Sequence, residues 1–199
     1  MNKTGSEVLF ERWLDDNGLP WCPILVAAGR TPDYRVTVAP GAEVIFEVKE
    51  INGTWDRTPN AVHSSTVGKY IRSKIAKSRG QVRDSSNQGL PTVILIYNAF
   101  DPMQLLGTEN LDFEHAMYGD LTVTINARSN RIVDRFHGNN KAFQSGKNTS
   151  ISALARLKGG GPEAIVSVTV FENTYAKVPL PYDRLPPCFG VIRVERPAV

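Results

Sequence analysis

Thr92 to Ala99 reads TVILIYNA, the most hydrophobic strand-length run in the chain. A strand with so little polar surface needs cover on both faces, which is the place of a central strand in an α/β sheet. The residues before it supply one cover. From about Thr66 to Ser85 an apolar stripe of Val67, Ile71, Ile75, Ser78 and Val82 recurs every three or four positions, the period of a docked helix. Gln88-Gly89-Leu90-Pro91 closes that helix. Basic groups flank the stripe, with Tyr70, Lys74, Lys77 and Gln81 on one side and Arg72, Arg79 and Arg83 on the other.

Upstream, residues 4–17 carry a first helix signal. Thr4 or Ser6 can cap it, Glu7 lies in its first turn, and Val8, Leu9, Trp13 and Leu14 give apolar positions at helical spacing. Asn17-Gly18 ends it. Ile24 to Ala27 is a short apolar run that reads as a first strand. Tyr34 to Val38 alternates as a half-buried strand, Pro40-Gly41 turns, and Glu43 to Ile51 reads EVIFEVKEI. In that strand Val44, Phe46, Val48 and Glu50 share one face, while Ile45, Glu47, Lys49 and Ile51 share the other. An apolar residue at each end of the Glu47/Lys49 face marks it as a pocket wall. The order is helix, three strands, helix, strand. Residues 52–66 form a polar loop with Trp55 and His63, in which Trp55 offers a ring for packing or for stacking on a base.

The second half predicts a helix that starts at Asp101-Pro102 and continues over Leu111 to Tyr118. A hairpin is expected of Leu121 to Ala127 with Arg131 to Arg135, and a basic loop of Gly138 to Thr149. A second hairpin pairs Ile151 to Leu157 with Ala164 to Phe171. A proline-rich strap from Val178 to Pro187 then leads to a last strand, Phe189 to Val194.

With 199 residues, 41% hydrophobic and 22% charged, the chain has the make-up of a soluble domain with a sizeable core. The net charge of +3 permits a polyanionic partner without demanding one. Cys22 and Cys188 offer neither zinc spacing nor a disulfide framework, so a reducing compartment is expected. No signal peptide and no run long enough to span a membrane is evident. These features predict a cytoplasmic protein without a membrane partner. His63, His115 and His137 lack paired metal spacing, Gly159-Gly160-Gly161-Pro162 lacks the GK[ST] of a phosphate loop, and no GxSxG is present.

The chemistry concentrates in residues 31–50, TPDYRVTVAPGAEVIFEVKE. Asp33 heads one strand; Glu47 and Lys49 lie on one face near the end of the next. Magnesium needs one or two carboxylates beside a substrate phosphate and keeps several waters. A lysine two residues beyond a carboxylate points the same way on a strand, so it can orient a water or stabilise developing charge.

Pro32-Asp33 followed by Glu47-Val48-Lys49 resembles the PD-(D/E)xK signature of the restriction-endonuclease-like nuclease superfamily, and the element order over residues 6–99 is similar to that family's core. The resemblance implies an α/β fold with a restriction-endonuclease-like core of helix, three antiparallel strands, helix and buried strand. That core would span residues 1–99, with a mostly β C-terminal extension over 100–199 packed on the same domain. It implies Asp33, Glu47 and the Val48 carbonyl as ligands of Mg²⁺, for which Mn²⁺ would substitute, and Lys49 as the catalytic lysine. Glu7 is implied as a further metal ligand, with Glu11 the second choice, and Gln81 as a supporting residue. Lys74, Lys77, Arg72, Arg79 and Arg83 would contact nucleic acid. The function implied is a metal-dependent nuclease, with DNA favoured over RNA, endonucleolytic cutting favoured, and two copies pairing. A non-catalytic nucleic-acid-binding module of the same fold is the alternative. The third reading is an interaction domain in which Asp33, Glu47 and Lys49 form a surface ion pair.

Overall fold

The computed structural model describes residues 3–25, 31–53, 66–101, 107–159 and 165–193. Trp55 and His63 lie outside them. The chain is an α/β protein whose described residues form a mixed seven-stranded sheet, three α-helices and a separate two-stranded ribbon.

Helix α1 (Gly5–Asp16) starts at a capping box: Thr4 accepts from the Glu7 backbone N–H while Glu7 reaches back to the Thr4 N–H. Strands β1 (Trp21–Pro23), β2 (Tyr34–Ala39) and β3 (Ala42–Ile51) pair antiparallel in succession. The first strand therefore precedes the apolar run expected to form it. Trp21 pairs with Val36 and packs edge-on against Tyr34, at 5.6 Å between ring centroids, whereas Leu25 is 87% exposed. An aromatic anchor outweighed a short aliphatic run.

Helix α2 (Lys69–Asn87) crosses to β4 (Thr92–Asn98), which lies parallel to β3 with Glu47 opposite Ile94 and Lys49 opposite Ile96. The helix begins three residues after the expected Thr66, and Val67 is exposed. Gly68 explains the start. Its φ is +72°, its N–H donates to Asp112 Oδ1 at 3.0 Å, and a Cβ there would stand 2.7 Å from the Asp112 carbonyl oxygen. Only glycine lets the helix begin so close to its neighbour α3 (Asn110–Tyr118).

Beyond α3, β5 (Leu121–Asn126) and β6 (Arg131–His137) form the separate ribbon. Its strands leave Ile125, Ile132 and Val133 about half exposed. Strand β7 (Ala153–Lys158) then pairs parallel with β4, β8 (Ser167–Glu172) antiparallel with β7, and β9 (Phe189–Ile192) parallel with β8. The sheet order is β1-β2-β3-β4-β7-β8-β9.

Two cores sandwich this sheet. On one face Phe10, Trp13 and Leu14 of α1 pack on Val44, Phe46, Val48 and Leu95. On the other, Ile71, Ile75 and Val82 of α2 pack with Ile51, Ile94 and Ile96, where Phe113 stacks on Phe171. The alternation in EVIFEVKEI thus sends Glu47 and Lys49 to the α2 face. Among the described residues no helix is long and apolar enough to cross a membrane, and Cys22 and Cys188 are free.

Candidate active site

The expected site residues meet where β2 and β3 part. The β2–β3 pairing begins at Tyr34 opposite Phe46, so the last residues of β3 lack a β2 neighbour on that edge. Asp33 stands at the fork. Its backbone N–H donates to the Phe46 carbonyl at 3.1 Å, and its Oδ2 accepts from the Val48 N–H at 2.7 Å. In an extended strand a residue's N–H and C=O face the same edge, so the Val48 carbonyl also looks toward the Asp33 side.

Glu47 is fully buried, and its Oε1 is in ion-pair contact with Lys49 Nζ. The Asp33 carboxyl acts on it electrostatically. No further hydrogen-bond donor reaches Glu47 among the described residues. Burial, then the charge of Asp33, pushes the Glu47 carboxyl up to about 7, and Lys49 offsets only part of this. Burial also raises Asp33; the Val48 N–H and Lys49 counter it, and Glu7 adds to the rise. A buried acid beside a half-buried one is a hard-oxygen donor set whose charge a divalent cation can neutralise. Lys49 keeps about a quarter of its side chain exposed while its ammonium meets the buried acid.

Helix α2 lays one flank along this fork. Gln81 Nε2 donates to the Thr31 carbonyl at 3.5 Å, two residues ahead of Asp33. Lys74 is half-buried, and its ammonium is pushed below the usual lysine range by burial and then by Lys77 and Lys49, with Glu50 opposing. The structure thus brings Asp33, Glu47, Val48, Lys49, Lys74 and Gln81 to one place.

It places others differently. Glu7 is held by the capping box, its Oε2 accepting from the Thr4 hydroxyl at 2.8 Å, and it reaches Asp33 only through its charge. The same Thr-x-x-Glu pattern that starts the helix occupies the carboxylate expected at the metal. Glu11 accepts from the Tyr34 hydroxyl at 2.8 Å and pairs with Lys3 at 2.7 Å. Among the described residues no group of three or more His, Cys, Asp or Glu side chains is placed to hold a metal ion, so the carboxylates here are a pair.

Arg72 is also engaged internally: its guanidinium donates to the His115 carbonyl at 3.2 Å and the Val67 carbonyl at 2.7 Å, and lies 3.7 Å from Asp120. Arg79 and Arg83 line a cavity on the other flank of α2.

Glu50 is a contributor that the strand pattern placed on an apolar face without a role. Its Oε2 accepts from the Ser6 N–H at 3.0 Å, which fixes the start of α1 over the end of β3. A carboxylate closing an otherwise apolar face was the available signal.

Comparison with protein-family models, with curated proteins and with solved structures finds no match.

Proposed function

We propose that this chain is a divalent-metal-dependent nuclease with a restriction-endonuclease-like core, hydrolysing phosphodiester bonds, with DNA as the favoured substrate and endonucleolytic cutting favoured. One observation carries the reading: the fully buried Glu47 carboxyl pairs with Lys49 and feels the charge of Asp33 at the open edge of β3. A surface ion pair needs no such burial. The burial of an acid beside a second acid costs stability, and such perturbed acids gather at functional sites.

Asp33, Glu47 and the Val48 carbonyl would hold Mg²⁺ or Mn²⁺. When bound, the cation neutralises phosphate charge and acidifies a coordinated water. Lys49 holds that water or the developing negative charge on the scissile phosphate, because its side chain is partly exposed while its ammonium stays paired with Glu47. Lys74 and Lys77 draw the substrate backbone toward the fork, and Gln81 holds the strand that presents Asp33. Glu7 acts on Asp33 through charge alone.

The test is cleavage of duplex, single-stranded and branched DNA by purified protein with Mg²⁺ or Mn²⁺. An intact panel overturns the reading, and so does a Lys49→Ala variant that cuts as well as the parent. Metal-independent binding without cutting would favour the non-catalytic module.

A further inference from the structure

Residues two apart on a helix point about 200° away from each other, so Arg79 and Arg83 look away from the fork that Gln81 faces. They do not face open solvent alone. They line a cavity of about 440 Å³ with Lys147 from the loop before β7 and Lys177 from the segment after β8. A second cavity of about 260 Å³ adjoins it, sharing Arg79, Lys147 and Asn148 and adding Lys141. Together they form a trough along α2 from Arg72 to Arg83, roughly 16 Å at the helical rise.

The trough is basic throughout. None of the residues lining either cavity is acidic, and no carboxylate among the described residues pairs with Arg79, Arg83, Lys147 or Lys177. Four like charges that repel one another and lack counter-charges are stabilised by an anion with several charges of its own.

Its walls are fixed. Asn148 Nδ2 donates to the Ala142 carbonyl at 2.8 Å, the Lys177 N–H to the Thr149 carbonyl at 2.7 Å, and the Lys147 ammonium to the Lys141 carbonyl at 3.0 Å. Arg79 and Arg83 stand about one helical turn apart on one flank, near enough to take neighbouring phosphates.

We infer that this trough is a second nucleic-acid contact, which binds the phosphodiester backbone through Arg79, Arg83, Lys147 and Lys177 without metal and apart from the Asp33–Glu47–Lys49 fork. The inference extends the nucleic-acid reading above, but its chemistry does not depend on cutting. The elongated, open shape favours a strand over a single phosphate ion, and contact through Lys and Arg to phosphates is independent of sequence.

The test is fluorescence anisotropy of the full chain with labelled single-stranded and duplex DNA in EDTA, at salt concentrations from about 50 to 200 mM. The double variant Arg79→Gln/Arg83→Gln is expected to bind at least about tenfold more weakly at the low-salt end and to reduce the magnitude of the log–log salt slope by about 2. Lys147→Gln/Lys177→Gln, which alters different elements, is expected to give the same loss, so misfolding of one variant leaves the other decisive. Circular dichroism and melting of each variant accompany the titration. Folded variants that keep the parent's affinity and slope overturn the inference. So does displacement of DNA from the parent by millimolar inorganic phosphate at matched ionic strength, which would mark a site for the free ion. Because no metal is present, loss of binding in these variants sustains the trough even if the parent never cuts DNA. Cleavage by the parent with unaltered binding in both variants removes the trough and leaves the nuclease reading standing.

Discussion

Lys49 and Glu47, two residues apart on β3, are in ion-pair contact, the carboxylate side chain fully buried and the lysine side chain about one quarter exposed. The pair joins the interior of the sheet to its open edge, and the predictions below follow from what each partner would lose.

Lys49→Ala removes the ammonium that meets the buried acid. Cleavage with Mn²⁺ is expected to fall by roughly 100- to 1,000-fold, the cost of deleting one group that stabilises developing charge. The melting profile should survive, because Glu47 can keep its proton. Initial rates on a duplex substrate measure this; a fall below tenfold would remove Lys49 from the chemistry.

Glu47 gives stability a sign with pH. Its carboxyl titrates at about 7 in the folded chain against an ordinary 4.5. Between those values the folded state holds the proton more tightly than the unfolded one, so stability is fullest below the lower value and declines as pH rises through the upper one. The decline amounts to roughly 3 kcal/mol at most. Asp33, also raised, works in the same direction. Glu47→Gln should flatten the difference in urea midpoint between pH 5 and pH 8. An equal difference in parent and variant would contradict the prediction.

Metal should act against that proton. Mn²⁺ at about 100 times its dissociation constant contributes about 2.7 kcal/mol, a rise of roughly 5–10 °C in melting temperature for a chain of this size. Affinity should increase with pH as the Glu47 proton leaves. Asp33→Asn and Glu47→Gln should both abolish the rise, as thermal melts with and without Mn²⁺ would reveal.

Gly68→Ala tests the junction of α2 with α3. The new Cβ meets the Asp112 carbonyl oxygen at 2.7 Å and the Ala116 nitrogen at 2.8 Å, with φ at +72°. A destabilisation of at least about 2 kcal/mol is expected from the chemical-denaturation midpoint, since both contacts are backbone and cannot rotate away.

Much of this architecture can be read from periodicity. Alternation in YRVTV and EVIFEVKEI yields β2 and β3, the apolar TVILIYNA yields β4, and the three-to-four spacing of Ile71, Ile75, Ser78 and Val82 yields α2. Asp33, Glu47 and Lys49 come together because turn and register do the rest. Other features depend on contacts that spacing does not encode. β1 is placed by Trp21 against Tyr34, and Arg72 is drawn inward by carbonyls of the α3 region and of Val67. Glu7 belongs to two patterns at once, and the local cap holds it. Lys147 and Lys177 reach Arg79 and Arg83 only through the folding of segments 64 to 98 positions away, so no window of sequence displays the trough.

The parallel pairing of β4 with β7 has a consequence for synthesis on the ribosome. Val93 to Tyr97 take their second neighbour from Ala153 to Leu157, residues made only after the entire α3 and ribbon segments have emerged. Until then the most apolar strand of the chain has one bare edge, a template for pairing with another copy. Every residue of the Asp33–Glu47–Lys49 fork is translated early, yet the sheet that holds it closes late. The interval between the two is when a nascent chain is most exposed to aggregation, and slowing translation between β4 and β7 should lower the soluble yield.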